Sequence, residues 1–208
     1  MKRTTFLIFL LIASACSAPR VAVNKNADFS NIKRVAVLDF SGPRGDIAAD
    51  FMIQNLMMRG INVVERRRLR AVMNELNLTN SSAFNPSTTR KLGELLGVDA
   101  LFLGTVVKIS DAASYIITTG EQSFSNVDRV DNSTLYSEGS VMGIPNSQII
   151  TSAAQVSLIS RMVDVETGSI IWSASMTYEG FDASSAIDAI SRSFVKSLAN
   201  IWPEIASR

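Results

Sequence analysis

The pattern of apolar and polar positions is clearest along residues 61–109, where it predicts a strand, two helices and a second strand. Residues 61–65 form a short β-branched run, which favours a strand. Residues 66–78 repeat apolar side chains at spacings of three and four, as an amphipathic helix does. These side chains are Leu69, Val72, Met73 and Leu76.

A second helix follows a polar gap. Asn85 and Pro86 open it, because proline is tolerated in the first turn of a helix. Its apolar face consists of Leu92, Leu95 and Leu96. Gly97 predicts a left-handed C-cap. Residues 98–109 are nearly all apolar, which indicates a strand buried on both faces.

The chain before this stretch predicts a strand and a helix. Residues 33–40 are mostly apolar and form the first expected strand. Asp46 is the expected N-cap of a helix over residues 47–59, and Gly60 ends it. The predicted buried face of this helix consists of Ile47, Phe51, Met52 and Leu56.

The chain after residue 150 predicts a hairpin and a final helix. The hairpin joins residues 151–165 to 169–178. Its core candidates are Val156, Leu158, Val163, Ile171 and Trp172. Asp182 is the expected N-cap of a helix over residues 183–201. The apolar stripe of this helix consists of Ala186, Ile187, Ile190, Phe194, Leu198 and Ile201. The predicted fold class is therefore α/β, a small mixed sheet with helices packed on its faces.

Three phrases carry a family resemblance: V-V-E-R-R-R-L-R-A-V-M-N-E (63–75), K-L-G-E-L-L-G-V-D-A-L-F-L-G-T-V (91–106) and V-S-L-I-S-R-M-V-D-V-E-T-G-S-I-I-W-S-A (156–174). They resemble the CsgG family, outer-membrane lipoproteins of curli-type secretion that are related to LpoB-type activators of penicillin-binding proteins. The resemblance implies a periplasmic domain of the CsgG, LpoB and TolB N-terminal type over residues 31–208. It also implies a structural ion pair at Glu65 and Arg66.

Residues 1–15 have the features of a lipoprotein signal peptide. Lys2 and Arg3 precede a short apolar run, and Ala13-Ser14-Ala15 directly precedes Cys16. Small residues before a cysteine are what a lipoprotein signal peptidase requires, so Cys16 is the expected lipidation site. The alternative is an ordinary leader cleaved at Ala15 or Ala18.

The segment that follows predicts a sorting signal and a tether. Ser17 after the cysteine resembles an outer-membrane sorting signal, which implies anchoring at the periplasmic face of the outer membrane. Residues 16–30 are polar and aperiodic, and we expect a lipidated N-terminus with a tether that reaches about 50 Å when fully extended.

Residues 111–150 form a long insertion between two core strands, rich in Ser, Thr, Asn and Gly. A loop of this length inside a compact domain is usually functional. One interpretation is a membrane β-hairpin, as the resemblance to pore-forming CsgG-like proteins implies. The other is a partly ordered loop or a soluble β-hairpin extension. Pore-forming relatives have a second membrane hairpin near residues 179–182, but the chain has room there only for a turn.

The densest charge cluster is Arg66, Arg67, Arg68 and Arg70 on one predicted helix. It is a candidate contact for acidic lipid headgroups or for a partner's carboxylates. The alternative is a solvated helix face that Glu65 and Glu75 neutralise.

Composition narrows the function to binding and assembly. The chain has 208 residues and no histidine, so it lacks the commonest general base. Its one cysteine, Cys16, is taken up by the expected lipid anchor, so thiolate catalysis and cysteine metal sites are missing as well. We expect no enzyme activity, no cofactor and no metal. The net charge of +1 falls to about −1 when Lys2 and Arg3 leave with the leader, which excludes an electrostatic footprint for nucleic acid.

The resulting hypothesis is a non-catalytic outer-membrane lipoprotein of the CsgG type in curli-like secretion or cell-envelope assembly. Its expected partners are the membrane, through Cys16, further copies of itself, and envelope or secretion proteins. Two alternatives are an LpoB-like regulator that binds a peptidoglycan synthase and an envelope scaffold that forms no pore.

Overall fold

The computed structural model describes residues 18–75, 86–119, 125–130 and 147–206. A mixed six-stranded sheet forms its centre, with strands in the order β1-β9-β8-β4-β2-β3. These strands are β1 (Arg20–Val23), β2 (Arg34–Val37), β3 (Asn62–Val63), β4 (Ala100–Ser110), β8 (Ala154–Asp164) and β9 (Ile170–Gly180). The helices are α1 (Gly45–Met58), α2 (Arg66–Glu75), α3 (Pro86–Leu96), α4 (Ala183–Leu198) and α5 (Pro203–Ala206). The predicted α/β fold class is confirmed.

The helices cover the sheet in two layers. Helices α1 and α4 pack on one face over the larger core cluster, and α2 and α3 pack on the other face over β2 and β4. In the larger cluster, the Phe102 ring lies edge-on to Trp172, with ring centroids 6.1 Å apart. Phe194 of α4 contacts the same indole at 5.9 Å. The sheet is therefore buried on both faces at β2 and β4, as the continuous apolar run after Gly97 predicted.

Several local predictions are confirmed. Gly97 has a φ of 63°, the left-handed conformation expected of a C-cap glycine. The Asp182 carboxylate accepts a hydrogen bond from the Ser185 backbone N–H, and the Ser185 hydroxyl accepts one from the Asp182 backbone N–H. Helix α4 therefore begins with a capping box. A turn at 180–183 leads directly from β9 to α4, so no hairpin lies between them.

The start of α1 differs from the prediction. The helix begins at Gly45, and Arg44 before it has a φ of 55° and makes no side-chain cap, so Asp46 lies in the first turn. A Cβ at residue 45 would lie 1.8 Å from the Phe40 backbone oxygen, so only glycine fits this close turn. Ile47 was expected in the core but is 36% exposed, whereas Met52 and Leu56 are buried as predicted.

The predicted tether over 16–30 is also partly wrong. Arg20–Val23 is β1, which pairs antiparallel with β9 along the edge of the sheet. Phe29 is buried in the larger core cluster. Val21 and Val23 favour a strand, but this β-branched signal is short and stands among polar residues. The chain is therefore fixed to the domain from Arg20 onwards.

In the 111–150 segment, the described residues form a separate antiparallel sheet in the order β6-β5-β7. Its strands are β5 (Ala113–Thr119), β6 (Ser125–Val130) and β7 (Ser147–Ser152). Residues 120–124 and 131–146 lie outside the described part of the chain. The described part of the segment is thus a strand-rich extension rather than only a loop.

Val163 was expected in the core, but it is only partly buried, because it lies on the face of β8 opposite to the buried Val156, Leu158 and Met162. Met162 and Val165 are buried there instead. The predicted end of the helix over 66–78 lies outside the described residues.

Candidate interaction site

The arginine cluster lies at the start of α2, close to the end of β2 and the start of α1. Arg66 extends from the first turn of α2 and forms ion pairs with Asp39 and Asp50. Its Nη1 also donates a hydrogen bond to the Asp46 backbone oxygen at 3.3 Å. The side chain is only 16% exposed. Arg66 therefore joins three elements of the domain and is not a free surface charge.

The carboxylates that pair with Arg66 favour its charged form. Burial opposes the charged guanidinium, but the hydrogen bonds with Asp50 and Asp39 outweigh it and raise the pKa of Arg66. Arg66 pairs with Asp39 and Asp50, 27 and 16 residues away in sequence, instead of with Glu65. The resemblance implied an ion pair between Glu65 and Arg66, and this expectation is wrong for Arg66.

Of the other three arginines, Arg70 pairs with the domain, whereas Arg67 and Arg68 are exposed to solvent. Arg70 donates to Asp39 Oδ2 from Nη2 at 3.0 Å and from Nε at 3.3 Å, although 57% of its side chain is exposed. Arg67 is 93% exposed and lies 3.5 Å from the Glu65 carboxylate. Arg68 is also exposed. Of the four predicted contact residues, Arg67 and Arg68 are thus the two whose charge faces solvent most freely.

The expected lipidation site, Cys16, lies outside the described residues, but its attachment to the domain is short. Cys16 precedes Arg20 by four residues, and Arg20 pairs with Ser175 in the sheet. Four residues span at most about 14 Å, even when fully extended. A group bound to Cys16 would hold the domain within that distance.

A polar cleft of about 940 Å³ opens between the chain after β1, helix α3 and the β8–β9 turn. Two of its carboxylates, those of Asp99 and Asp164, accept hydrogen bonds from the local backbone. Asp99 accepts from the backbone N–H groups of Lys33 at 2.8 Å and Arg34 at 2.9 Å. Asp164 accepts from Thr167 N–H at 2.7 Å. In the described part of the chain no three acidic, histidine or cysteine side chains converge on a metal position.

A smaller cavity of about 190 Å³ lies beside α3, where β4, β8 and the start of β9 meet. Its lining combines the aliphatic side chains of Leu101, Leu103, Val163 and Ile170 with Thr89, Arg161 and Gly168. Leu101 pairs with Val163 and Leu103 pairs with Arg161 across the β4–β8 ladder. Ile170 is 48% exposed at the rim. This cavity of mixed polarity was not predicted, because its lining comes from a helix and strands that are distant in sequence.

At the other end of β9, Phe181 is 91% exposed in the turn before α4. It is flanked closely by Glu179 and Asp182. The hydrophobic pattern assigned this turn only a connecting role. The signal that could have found it is an aromatic residue in an otherwise polar turn, since large aromatic side chains are commonly buried in cores or interfaces.

The family profile described as "Curli production assembly/transport component CsgG" matches residues 11–201. The chain belongs to the CsgG family. The predicted resemblance is confirmed, and the matched stretch includes Cys16, all four arginines and Phe181. A comparison with curated protein sequences finds no significant match.

Solved structures similar to this CsgG-family chain include a PelC L103M dodecamer from Paraburkholderia phytofirmans, with 15% identity, a TM-score of 0.44 and coverage of 90% of this chain and 99% of that chain. Lipoprotein GNA1162 from Neisseria meningitidis has 17% identity, a TM-score of 0.48 and coverage of 81% and 97%. The LpoB C-terminal domain from Salmonella enterica has 12% identity, a TM-score of 0.43 and coverage of 75% and 87%. These weak similarities concern the fold alone.

No helix in the described part of this CsgG-family chain is both long enough and apolar enough to cross a membrane.

Proposed function

We propose that this CsgG-family protein is a non-catalytic outer-membrane lipoprotein that self-associates in a secretion or cell-envelope assembly system. The observation that carries the proposal is the family match over residues 11–201, which includes Cys16 after its small-residue run. In this account, Cys16 carries the lipid and the α/β domain supplies the protein contacts. Curli-like secretion is the process that the family description suggests.

The position of β1 supports a role close to the membrane. Because Arg20 is fixed to β9, four residues from Cys16 span at most about 14 Å, compared with the roughly 50 Å of a free tether over 16–30. Three acyl chains would hold such a protein stably, since two lipid signals already suffice for stable anchoring. The domain would therefore work beside the bilayer.

The same short reach counts against the LpoB-like alternative. A lipoprotein that regulates a peptidoglycan synthase from the outer membrane must extend across much of the periplasm. A linker of about 14 Å leaves the folded domain to cover that distance. A secretion component or an envelope scaffold that forms no pore needs no such reach, so we prefer these two roles.

The proposed contacts beyond the lipid come from the surface of the domain. Arg67 and Arg68 offer positive charge to acidic headgroups or carboxylates, while Arg66 and Arg70 hold α2 in place. Exposed Phe181 and the aliphatic side chains in the cavity at the start of β9 offer contacts for self-association.

The test is the Cys16→Ser variant expressed beside the wild-type protein in a bacterium that processes lipoproteins. We expect palmitate labelling of the wild type and none of the variant, together with release of the variant from membranes. The matched control is Ser17→Ala, which keeps the cysteine and should keep the label. Labelling of Cys16→Ser at wild-type level would overturn the lipidation assignment.

A further inference from the structure

We propose that Phe181 of one copy of this chain inserts into the cavity at the start of β9 in a second copy. This inference rests on the self-association included in the proposed function and names the surfaces that would make it. One surface is the Phe181 knob, formed by Glu179, Phe181 and Asp182. The other is the β9 cavity, lined by Thr89, Leu101, Leu103, Arg161, Val163, Gly168 and Ile170.

The backbone on both sides of Phe181 is held in place by contacts with α4. Gly180 packs against α4 so closely that a Cβ there would lie 3.0 Å from the Ala186 backbone nitrogen. On the other side of Phe181, Asp182 is fixed by the capping box with Ser185. The aromatic side chain is 91% exposed between these two fixed points. Because the backbone is fixed on both sides and phenylalanine has only two side-chain torsions, ordering this ring at an interface costs little conformational entropy.

The β9 cavity has the size for an aromatic ring. Its volume is about 190 Å³, and an apolar protein cavity of about 150 Å³ is enough to bind benzene. Leucine, valine and isoleucine side chains in the lining would contact a ring placed there, and Thr89, Arg161 and Gly168 form the rest of the wall. The exposed rim at Ile170 leaves a route of entry.

Charge complementarity favours the knob as the occupant. Glu179 and Asp182 lie on either side of Phe181 in the sequence and bring negative charge to the knob, whereas Arg161 lines the cavity. Within the chain, the Glu179 carboxylate accepts a hydrogen bond from Gln155 and the Asp182 carboxylate accepts one from the Ser185 backbone N–H. No ion pair joins Arg161 to another residue within the described ranges 18–75, 86–119, 125–130 and 147–206. An acidic-flanked ring entering a cavity beside arginine would place opposite charges together at the rim of the contact.

The two surfaces cannot meet within one chain. Ile170 begins β9 and Phe181 directly follows its end, so β9 separates the cavity from the knob by about 35 Å. A second copy must therefore supply the ring. Two copies can exchange knobs reciprocally about a two-fold axis, or successive copies can bind head to tail and close into a ring.

The experiment measures the native mass of the full lipidated protein, extracted from membranes in mild detergent, over a series of concentrations. We expect the wild type to form oligomers and Phe181→Ala to weaken the association by about 30-fold or more, as loss of an interface hot spot does. The matched control is Met58→Ala, which truncates another apolar side chain that is 75% exposed but lies outside both surfaces. Its association should match the wild type, and both variants should unfold in a single cooperative transition, which shows that each chain is folded.

Charge reversal gives an independent readout. Arg161→Glu and Glu179→Arg should each weaken association by roughly five-fold, and the double variant should recover it, because the pair then has opposite charges again. A photoreactive phenylalanine analogue at position 181 should crosslink to the strand segments that line the cavity in another copy.

The outcomes separate this inference from the proposed function. An oligomer that is unchanged by Phe181→Ala would overturn the knob-and-cavity contact and leave self-association standing. A wild type that stays monomeric at every concentration would overturn self-association and this contact together. Crosslinks from position 181 to lipid or to an unrelated protein, with none to a second copy, would also overturn the contact.

Discussion

The Arg66 guanidinium donates to the Asp39 carboxylate and thereby joins the first turn of α2 to the chain just after β2. Both side chains are largely buried, with 16% of Arg66 and 20% of Asp39 exposed. The pair explains why part of a conspicuous basic cluster serves the fold. It also leaves the more exposed Arg67 and Arg68 as the charges available to a partner.

Removal of Arg66 should destabilise the domain. In Arg66→Met, Asp39 keeps Arg70 but loses its buried partner, so we expect a loss of about 1–3 kcal/mol in the free energy of unfolding. Urea unfolding measures this change. The matched control, Arg67→Met, removes a 93% exposed side chain and should change stability by no more than about 0.5 kcal/mol. Equal effects of the two substitutions would contradict the structural role of Arg66.

Addition of a methyl group at Gly104 should strain the core. A Cβ at this position would lie 2.4 Å from two carbon atoms of the Phe40 ring. We expect Gly104→Ala to cost about 1–3 kcal/mol in unfolding free energy, as overpacking does. The double variant Gly104→Ala with Phe40→Leu should cost less than the sum of the two single changes, since the smaller side chain makes room. Strict additivity in this double-mutant cycle would show that the two residues do not clash.

The cap of α4 should make stability depend on pH in the acid range. The backbone hydrogen bond from Ser185 is the main cause that lowers the pKa of Asp182 below its ordinary value of 3.8. A lowered pKa means that the unfolded chain binds the proton more readily. The stabilising contribution is therefore present above pH 3.8 and is lost as the pH falls through the folded-state pKa.

The Asp182→Asn variant tests this dependence, because asparagine is also a good N-cap but does not titrate. We expect a stability difference between wild type and variant at neutral pH that shrinks as the pH falls from about 6 to 2. Urea unfolding at each pH measures the difference. A gap that stays constant over this range would mean that the carboxylate contributes nothing by its charge.

The three-stranded sheet of β5, β6 and β7 should be dispensable for folding of the core. Its strands pair with one another, while Ser110 at the end of β4 pairs directly with Gln155 of β8. A short Asn-Gly turn in place of residues 112–153 can therefore close a β4–β8 hairpin. We expect a cooperative thermal transition within a few degrees of the wild-type Tm. A non-cooperative transition would mean that the extension is part of the core fold.

Local signals predicted much of the fold from the sequence. Gly97 and Asp182 were readable as caps because their partners lie within one helical turn. The apolar run before Ile109 revealed the central strand β4, since a strand covered on both faces needs continuous hydrophobicity. These features depend on residues that are close in sequence.

The features that were missed depend on distant partners. Nothing near Arg66 in sequence points to Asp39, and four residues of β1 gave too little pattern to stand out from the expected tether. The β9 cavity combines side chains of β4, β8 and β9, so no single stretch reveals it. The candidate site is therefore largely a property of the folded chain, whereas the expected anchor at Cys16 depends on sequence alone.

The most direct test of the central claim is the intact mass of the protein extracted from membranes. A chain that begins at Cys16 and carries three acyl chains is the predicted result, with the folded domain starting four residues later at Arg20. An unmodified chain, whether it begins at Cys16, Ser17 or Pro19, would contradict the proposed lipoprotein anchor.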